Sequence, residues 1–337
     1  MNIQENYPLL PHNTFGMDVK ASAFIEYASI EELKEVLERY VYQADKWLHI
    51  GGGSNLLFTE DYQGVILHSA IKGYEVMNET EDEVLVRVGA GEIWDDFVAY
   101  AVSHEWYGAE NMSLIPGEVG ASAVQNIGAY GAEAKDLIVA VETIEVATAQ
   151  VRIFEQADCK YAYRESIFKK ELKGKYIVTH VVYRLKRKPV FSLEYGNVKA
   201  ELEKTGGEIT LSRVRDVIIR IRESKLPDPK VQGNAGSFFM NPIVPRTLYV
   251  SLQSSYPDMP CYEIDTERVK IPAAWLIDRC GWKGKRLGNA GVHSRQALVL
   301  VNCGNATGKE IIALSQEIQK SVFDTFGVNI YPEVNFI

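Results

Sequence analysis

The first third of the chain alternates between two hydrophobic periodicities. Ser29 and Glu32 precede a stretch whose apolar residues repeat at helical spacing, which predicts an amphipathic helix that begins with a capping box. Val84, Val86 and Val88 instead occupy every second position, which predicts a half-buried strand. The same reasoning predicts strands near 47–50 and 64–68 and a helix that carries Ile93, Phe97 and Tyr100 on one face.

The middle of the chain is predicted to be rich in strands, and its end to contain a long helix. A helix that opens at Ser212 should end before the two prolines of segment 225–230, and we take that turn as a domain boundary. Thr307 and Glu310 form a second capping signal, and Gly327 is typical of a helix end. Strands are predicted at 137–147, 151–155 and 176–185 and over the tail 331–337.

Composition and charge narrow the class of protein. The 337 residues predict about two domains. A net charge of −9 disfavours general nucleic-acid binding, because such a surface repels phosphate backbones. The longest apolar run, 297–301, is far shorter than the ~20 residues of a membrane span. No signal peptide is visible, and the four cysteines lack the spacing of a disulfide framework or zinc site. We therefore expect a cytoplasmic protein with no metal and no membrane contact.

Two glycine-rich segments are candidates for ligand binding. Segment 51–55, Gly-Gly-Gly-Ser-Asn, could turn its backbone N–H groups toward an anion, or it could be a tight turn between strands. It has neither the G-x-G-x-x-G pattern of a Rossmann unit nor the Gly-Lys-Ser/Thr of a P-loop. Segment 115–131 has glycines at 117, 120, 128 and 131 and could wrap around a large flat ligand or form a flexible loop. The apolar residues inside it favour an ordered, ligand-binding segment.

Three polar side chains are candidates for chemistry, and each has a structural alternative. Arg164 could clamp a carboxylate with two hydrogen bonds, or it could form a structural ion pair. Ser237 could be a nucleophile, but the absence of G-x-S-x-G favours a turn or capping serine. Glu333 lies in an apolar tail, where burial would raise its pKa, or it could be a surface carboxylate. Basic residues between 213 and 230 could form an anion-binding patch or a solvated helix face.

Several of these features belong to a set of sequence blocks that occur in one order along nearly the whole chain. The blocks lie at 13–15, 51–58, 115–131, 163–168, 225–230, 233–239 with 241–242, 274–278 and 332–334. Together they resemble the UDP-N-acetylenolpyruvoylglucosamine reductase (MurB) family. Tyr130 and Tyr195, each beside a glycine, resemble the longer subclass of that family, in which a tyrosine loop folds over the substrate.

The resemblance implies a fold and a reaction. The fold is α+β, with a two-part FAD-binding domain of the vanillyl-alcohol-oxidase/PCMH type and a smaller α+β substrate-binding domain. Its expected boundaries are 1–73 for the first FAD-binding part, 74–226 with 327–337 for the second, and 227–326 for the substrate domain. The implied enzyme holds FAD non-covalently and uses NADPH to reduce UDP-N-acetylglucosamine enolpyruvate to UDP-N-acetylmuramate, a cytoplasmic step of peptidoglycan synthesis. We expect a monomer.

Carried over motif by motif, the resemblance also implies residue roles. Ser237 would donate the proton that completes the reduction, and Arg164 and Glu333 would stabilise the enolate-like intermediate. Glu333 would have to be protonated, or to share a proton, because an ionised carboxylate would repel that intermediate. The UDP-sugar would be bound by Tyr130, Tyr195, Lys225 and Asn241. FAD would be held by Gly51, Gly52, Gly53, Ser54, Asn55, Leu56, Pro116, Gly117, Gly120, Ser122, Gln125, Asn126 and Gly128.

Three positions depart from the family pattern, and two other functions remain open. Asn335 stands where some members carry Arg, Met240 replaces a Lys, and Ala123 replaces a Pro. The first two weaken the expected set of anion-binding groups. The alternatives are another FAD-dependent sugar or lactone oxidase of the same fold, and a flavin-binding module without turnover. The complete set of Arg164, Ser237 and Glu333 favours the reductase.

Overall fold

The computed structural model describes residues 1–337 except for the side chain of Thr205, and it divides into two compact units. Unit 1 comprises Met1–Tyr7, Ala21–Gly52 and Gln63–Ser224. Unit 2 comprises Pro8–Lys20, Gly53–Tyr62 and Lys225–Ile337. The chain passes from unit 1 to unit 2 between Ser224 and Lys225, at the start of the Pro-rich turn. The division into three domains, with its boundaries, stays a prediction.

The chain forms short helices and many short strands. The α-helices are α1 (Ile30–Val36), α2 (Trp94–Ser103), α3 (Val119–Gln125), α4 (Val198–Thr205), α5 (Leu211–Lys225), α6 (Arg246–Ser255), α7 (Ala273–Arg279) and α8 (Gly308–Phe326). The strands are β1 (Asn2–Pro8), β2 (Lys20–Tyr27), β3 (Trp47–Ile50), β4 (Leu56–Leu57), β5 (Tyr62–Ser69), β6 (Tyr74–Glu79), β7 (Glu83–Gly89), β8 (Gly128–Ala129), β9 (Ala132–Glu133), β10 (Ile138–Glu145), β11 (Val151–Glu155), β12 (Tyr176–Lys186), β13 (Ile243–Pro245), β14 (Tyr262–Glu263), β15 (Arg268–Lys270), β16 (Arg286–Leu287), β17 (Ala290–Val292), β18 (Leu300–Asn302) and β19 (Asn335–Phe336).

Unit 1 is built on two sheets. One has the strand order β1-β2-β5-β3, with β3 and β5 parallel, and α1 packs its Leu33 and Val36 into the apolar core beside it. The other has the order β11-β10-β12-β7-β6 with antiparallel neighbours. The alternating valines of β7 lie in a core that includes Trp94 and Phe97 of α2, so that helix packs against one face of this sheet.

Unit 2 is built from small sheets and the long helix α8. Its three-stranded sheets have the orders β13-β15-β14 and β16-β17-β18, and the tail strand β19 pairs in parallel with β4. Phe326 of α8 packs against the rings of Tyr256 and Trp275. Within the part of the chain that the structure describes, no helix combines the length and the apolar character that a membrane span requires.

Most predicted elements are confirmed, and the differences are local. Thr307 and Glu310 form the predicted capping box of α8, and Gly327 ends that helix with φ +64°. At α1, Ser29 accepts from the N–H of Glu32 as predicted, but the Glu32 carboxylate accepts from Ala28 instead of completing the box. The helix then continues as a π-helical turn over Leu37–Val41.

Two predictions about segments need correction. The tail 331–337 is strand only over Asn335–Phe336, and Pro332 forms an isolated β-bridge with Phe239. Segment 115–131 is predicted to be an ordered ligand-binding segment or a flexible loop, and the helix α3 at its centre overturns the flexible loop, while ligand binding stays a prediction. Val119 and Ala123 anchor that helix in the core of unit 1, so the apolar residues of the segment do order it.

Candidate functional site

The two glycine-rich segments meet in unit 1. A Cβ built on Gly52 would lie 3.5 Å from Cα of Gly117, and one on Gly51 would lie 3.2 Å from Oε2 of Glu118. The backbones of the two segments can therefore approach each other closely, because the glycines have no side chains. Such a backbone-lined surface fits the close approach of a large flat cofactor with an anionic pyrophosphate.

The rest of the first glycine segment belongs to unit 2, where the C-terminal tail holds it. Gly53 has φ +65°, and a Cβ there would lie 1.9 Å from the carbonyl oxygen of His12, so only glycine fits. Asn55 donates from Nδ2 to the carbonyl of Glu333 at 3.3 Å. Asn335 donates from its N–H and from Nδ2 to the carbonyl of Asn55, at 3.1 and 3.3 Å. Asn335, which replaces the Arg of some family members, thus tethers this segment.

Polar side chains predicted to bind the flavin are engaged within the protein. Ser122 is fully buried, and its hydroxyl donates to the carbonyl of Val119 at 2.7 Å and lies 2.6 Å from the hydroxyl of Tyr183. Asn126, also fully buried, donates to the Glu133 carboxylate and the Ala162 carbonyl and accepts from the N–H of Lys135. These bonds shape the segment, and direct contact of either side chain with FAD stays a prediction.

The other predicted flavin residues of this segment have different surroundings. Gln125 accepts a hydrogen bond from Nζ of Lys169 at 2.9 Å. A Cβ on Gly120 would lie 2.9 Å from that of Ala90, and one on Gly128 would lie 2.6 Å from the carbonyl oxygen of Ala132. Close packing within the protein therefore explains these two glycines without a ligand.

Arg164 is joined to the end of the second glycine segment. Its guanidinium donates to the carbonyl of Gly128 at 3.0 Å and to that of Asn126 at 3.5 Å, and it lies 5.7 Å from the ring centre of Tyr163. The backbone of Arg164 has φ +57°, a conformation that bulky residues adopt rarely. A strained residue held by carbonyls in this way is typical of a functional position.

Tyr130 and Tyr195 are brought together. A Cβ on Gly131 would lie 3.2 Å from Cβ of Tyr195, and one on Gly196 would lie 3.8 Å from the ring of Tyr130. Asn111 ties the two loops, because its Nδ2 donates both to the carbonyl of Tyr130 and to that of Ser192, at 2.9 and 2.8 Å. Tyr195 is exposed, while Tyr130 is half-buried and has a pKa raised by burial.

The basic residues of α5 mostly make hydrogen bonds and ion pairs within the protein. Arg215 forms a bidentate pair with Asp95 at 2.7 and 2.9 Å, and Arg213 donates to the carbonyls of Glu208 and Leu202. Burial would raise the pKa of Asp95, but the hydrogen bonds from Arg215 and from the Leu114 N–H outweigh it and lower the pKa. These bonds favour the structural interpretation of the stretch.

Arg222 of α5 differs from its neighbours, and the sequence did not single it out from them. Among the residues that the structure describes, none accepts a hydrogen bond from its buried Nε. Burial lowers the pKa of Arg222, the nearby Tyr130 and Asp95 oppose that shift, and the charge of Arg164 adds to it. Two guanidinium groups that repel each other beside Tyr130 form a setting that an anionic ligand would stabilise.

In unit 2, Ser237 and Glu333 lie on neighbouring backbone segments. Ser237 is exposed and precedes the fully buried Phe238, whose N–H donates to the carbonyl of Leu298. The N–H of the half-buried Glu333 donates to the carbonyl of Phe238 at 2.8 Å, and a β-bridge joins Phe239 to Pro332. The buried phenylalanines thus hold the backbone beside both predicted catalytic residues.

The remaining predicted substrate residues are at helix ends. Asn241 accepts from the N–H of Ala273 at the start of α7, at 2.9 Å, and Lys225 is the exposed last residue of α5. Met240, one of the departures from the family pattern, donates its N–H to the carbonyl of Tyr331 and so reinforces the pairing beside Glu333.

Comparisons with known proteins identify the family of this chain. Residues 228–337 match the C-terminal domain of UDP-N-acetylenolpyruvoylglucosamine reductase, and residues 21–154 match an FAD binding domain. The chain is 58% identical over 335 residues to the UDP-N-acetylenolpyruvoylglucosamine reductase of Bacteroides fragilis, covering 99% of this chain and 100% of that protein. It is 49% identical over 339 residues to that of Flavobacterium johnsoniae, covering 100% of both.

A solved structure shares the fold. The crystal structure of UDP-N-acetylenolpyruvylglucosamine reductase (MurB) from Thermus caldophilus superposes with a TM-score of 0.70 at 23% identity, covering 100% of this chain and 99% of that one. The predicted α+β fold with an FAD-binding domain is therefore confirmed.

Proposed function

Because the chain belongs to the UDP-N-acetylenolpyruvoylglucosamine reductase family, we propose that it reduces UDP-N-acetylglucosamine enolpyruvate to UDP-N-acetylmuramate in peptidoglycan synthesis. The observation that carries this proposal is 58% identity to such a reductase over 99% of the chain. The chain is a flavoenzyme with an FAD-binding domain at 21–154. NADPH as the reductant, a cytoplasmic location and a monomeric state are finer predictions.

The residues of the two glycine-rich segments fit FAD. A bound FAD would supply the hydride chemistry, because a flavin can carry hydride from a nicotinamide cofactor such as NADPH to the enolpyruvyl group. The backbone of Gly51, Gly52 and Gly117 would lie along the anionic pyrophosphate, because these three residues carry no side chains. Gly53, Ser54, Asn55 and Leu56 stay predicted FAD-binding residues, and within unit 2 Asn55 and Leu56 are tied to the C-terminal tail.

We assign three residues to the reacting group. Arg164 donates hydrogen bonds to the carboxylate of the substrate as negative charge grows there, and its bonds to the carbonyls of Asn126 and Gly128 aim its guanidinium. Ser237 donates its hydroxyl proton to the carbon next to that carboxylate. Glu333 stabilises the same charge through a proton that it holds or shares. The pairing of the two segments that carry Ser237 and Glu333 supports this assignment.

We assign the UDP-sugar to Tyr130, Tyr195, Lys225 and Asn241. Tyr195 is exposed and packs against Gly131, so its ring can cover a ligand while the backbone of its loop stays in place. Lys225 offers an exposed ammonium group for a phosphate at the end of α5. Arg222 adds positive charge near Tyr130.

An anaerobic two-step titration tests the proposed function. NADPH is added until the flavin of the purified protein is bleached, and UDP-N-acetylglucosamine enolpyruvate is then added in steps. We expect the yellow colour to return in proportion to the enolpyruvyl sugar, since one hydride leaves the flavin for each substrate molecule. UDP-N-acetylglucosamine, which lacks the enolpyruvyl group, is the control and should leave the flavin bleached. Flavin that stays reduced until air enters would instead favour an oxidase of the same fold.

Gly131→Ala should weaken binding of the UDP-sugar and leave FAD in place. The backbone there has φ +83°, which costs an L-residue about 1–2 kcal/mol, and the new Cβ presses on Tyr195. We expect KM for the enolpyruvyl sugar to rise about tenfold. Gly174→Ala is the matched control, because it has φ +73° but nothing within 4 Å of the new Cβ. An equal rise in KM for both variants would refute the role assigned to the contact with Tyr195.

A further inference from the structure

A histidine held between two carboxylates lies next to the glycine-rich segments. His68 of β5 places Nδ1 3.0 Å from Oε2 of Glu26 and Nε2 2.8 Å from Oε1 of Glu118. The side chains of His68 and Glu118 are 12% and 11% exposed, so solvent does little to screen this pair. The other oxygen of Glu118 is the atom nearest to a Cβ built on Gly51, at 3.2 Å.

The geometry requires a positive charge or a shared proton on His68. A neutral imidazole has one N–H donor, so one of two ionised carboxylates would then face a ring lone pair. Burial lowers the pKa of His68, but Glu118 and Glu26 outweigh it, and the pKa is raised overall. The ring of Phe24 stacks on the imidazole of His68, with 5.9 Å between the ring centres.

The remaining titratable neighbours do not supply this charge. His49 of β3 has its pKa lowered to about 3, mainly by burial and further by the charge of His68, so it is neutral near pH 7. Tyr27 of β2 is fully buried, which raises its pKa, and its hydroxyl bonds to His49 at 2.7 Å. Of these three groups, His68 is the one that can place a positive charge beside Glu118.

We propose that His68 is a positioning residue for FAD, whose imidazolium neutralises Glu118 and thereby allows the anionic pyrophosphate to bind beside Gly51 and Gly52. Without that proton, the Glu118 carboxylate would repel the cofactor from the surface it borders. This inference rests on the proposed placement of FAD in the glycine-rich segments. FAD binding and protonation of His68 must then favour each other, because linkage is reciprocal.

The sign of the pH dependence follows from this linkage. FAD should bind most tightly where His68 is protonated, and the affinity should fall as the pH rises through the raised pKa of His68. The test measures the Kd of FAD for the apoprotein by flavin fluorescence, between about pH 6 and about pH 9. For the wild-type protein we expect a loss of roughly tenfold in affinity across this range.

Two variants separate charge neutralisation from simple support of the loop. His68→Gln should bind FAD roughly tenfold more weakly at about pH 6 and lose most of the pH dependence. Glu118→Gln removes the charge that needs neutralising, so it should bind FAD as tightly at about pH 9 as at about pH 6. The double variant should recover the affinity that His68→Gln loses. His180→Gln is the matched control, since His180 also lies near a carboxylate, Glu142, and belongs to the other sheet of unit 1.

The outcomes distinguish this inference from the proposed function. A wild-type affinity that does not change with pH, or a Glu118→Gln variant that binds as weakly as His68→Gln, overturns the role of His68 while FAD binding itself stands. A wild-type apoprotein that binds no FAD at any pH overturns the proposed function instead. Circular dichroism melting of each variant shows whether it is folded, and Glu118→Gln keeps the inference testable if His68→Gln does not fold.

Discussion

Ser237→Ala is expected to slow the reoxidation of reduced flavin by the enolpyruvyl sugar by about 10²- to 10⁴-fold, because the variant has no hydroxyl proton to donate. Reduction of the flavin by NADPH should proceed at nearly the wild-type rate, since no proton from Ser237 is used in that half-reaction. Rapid-mixing absorbance of the flavin, recorded separately for the two half-reactions under anaerobic conditions, measures both rates. The split between them identifies a proton donor more sharply than a fall in overall turnover.

Two further variants control for the change in shape at this position. Ser237→Cys keeps a donor of similar size and should recover part of the lost rate. Ser254→Ala removes an exposed hydroxyl of α6 in the same unit and should leave both half-reactions unchanged. Equal slowing of the two half-reactions in Ser237→Ala would refute proton donation and leave Ser237 as a residue that supports the turn before Phe238.

Glu333→Ala should lower the rate of the same half-reaction by about 10²- to 10³-fold, which is the usual effect of removing one preorganised donor from a developing negative charge. FAD should remain bound, because Glu333 meets the first glycine segment through its backbone carbonyl, which accepts from Asn55 and survives the substitution. Flavin absorbance gives the FAD content, and rapid mixing gives the rate.

Glu333→Gln reveals which form of the carboxyl is used. A protonated carboxyl acts by donating a hydrogen bond, and the amide of Gln is also a neutral donor, so Glu333→Gln should bind FAD and recover part of the rate that Glu333→Ala loses. Rates equally low in both variants would mean that the proton or charge of the carboxyl itself is needed. Colourless, unfolded protein from both variants would show that Glu333 is a structural residue of the tail.

Several helices and strands, among them α1, α2, α5 and α8, could be predicted because their signals are local. The capping box of α8 joins two side chains within the first turn, and the alternation of Val84, Val86 and Val88 follows from the two-residue period of β7. The helices α4, α6 and α7 were not predicted, and neither was α3. Its Gly, Ala and Ser residues have little helical pattern, and packing of Val119 and Ala123 into the core decides its conformation.

For the candidate site, too, one part could be predicted from the sequence and another could not. The residues of the reductase motifs could be named from the sequence, because each motif is a short contiguous block. Their contacts could not be predicted. Asn126 donates a hydrogen bond to the carbonyl of Ala162, and Arg215 forms an ion pair with Asp95, 120 residues away in the sequence. Residues expected to bind a ligand or an anion therefore make structural contacts instead. Such partners are chosen by strand register and packing, which a linear pattern does not contain.

The sequence by itself therefore determined the family, the helices and strands with a clear local pattern, and the residue types available for flavin chemistry. Only the tertiary structure decided which of those groups are engaged elsewhere and which unsuspected groups stand beside the glycine-rich segments. The pairing of His68 with Glu118 spans 50 residues, and that of Asn335 with Asn55 spans 280. The physical reason is that a hydrogen bond or an ion pair depends on distance in space, and folding brings residues together with little regard to their separation along the chain.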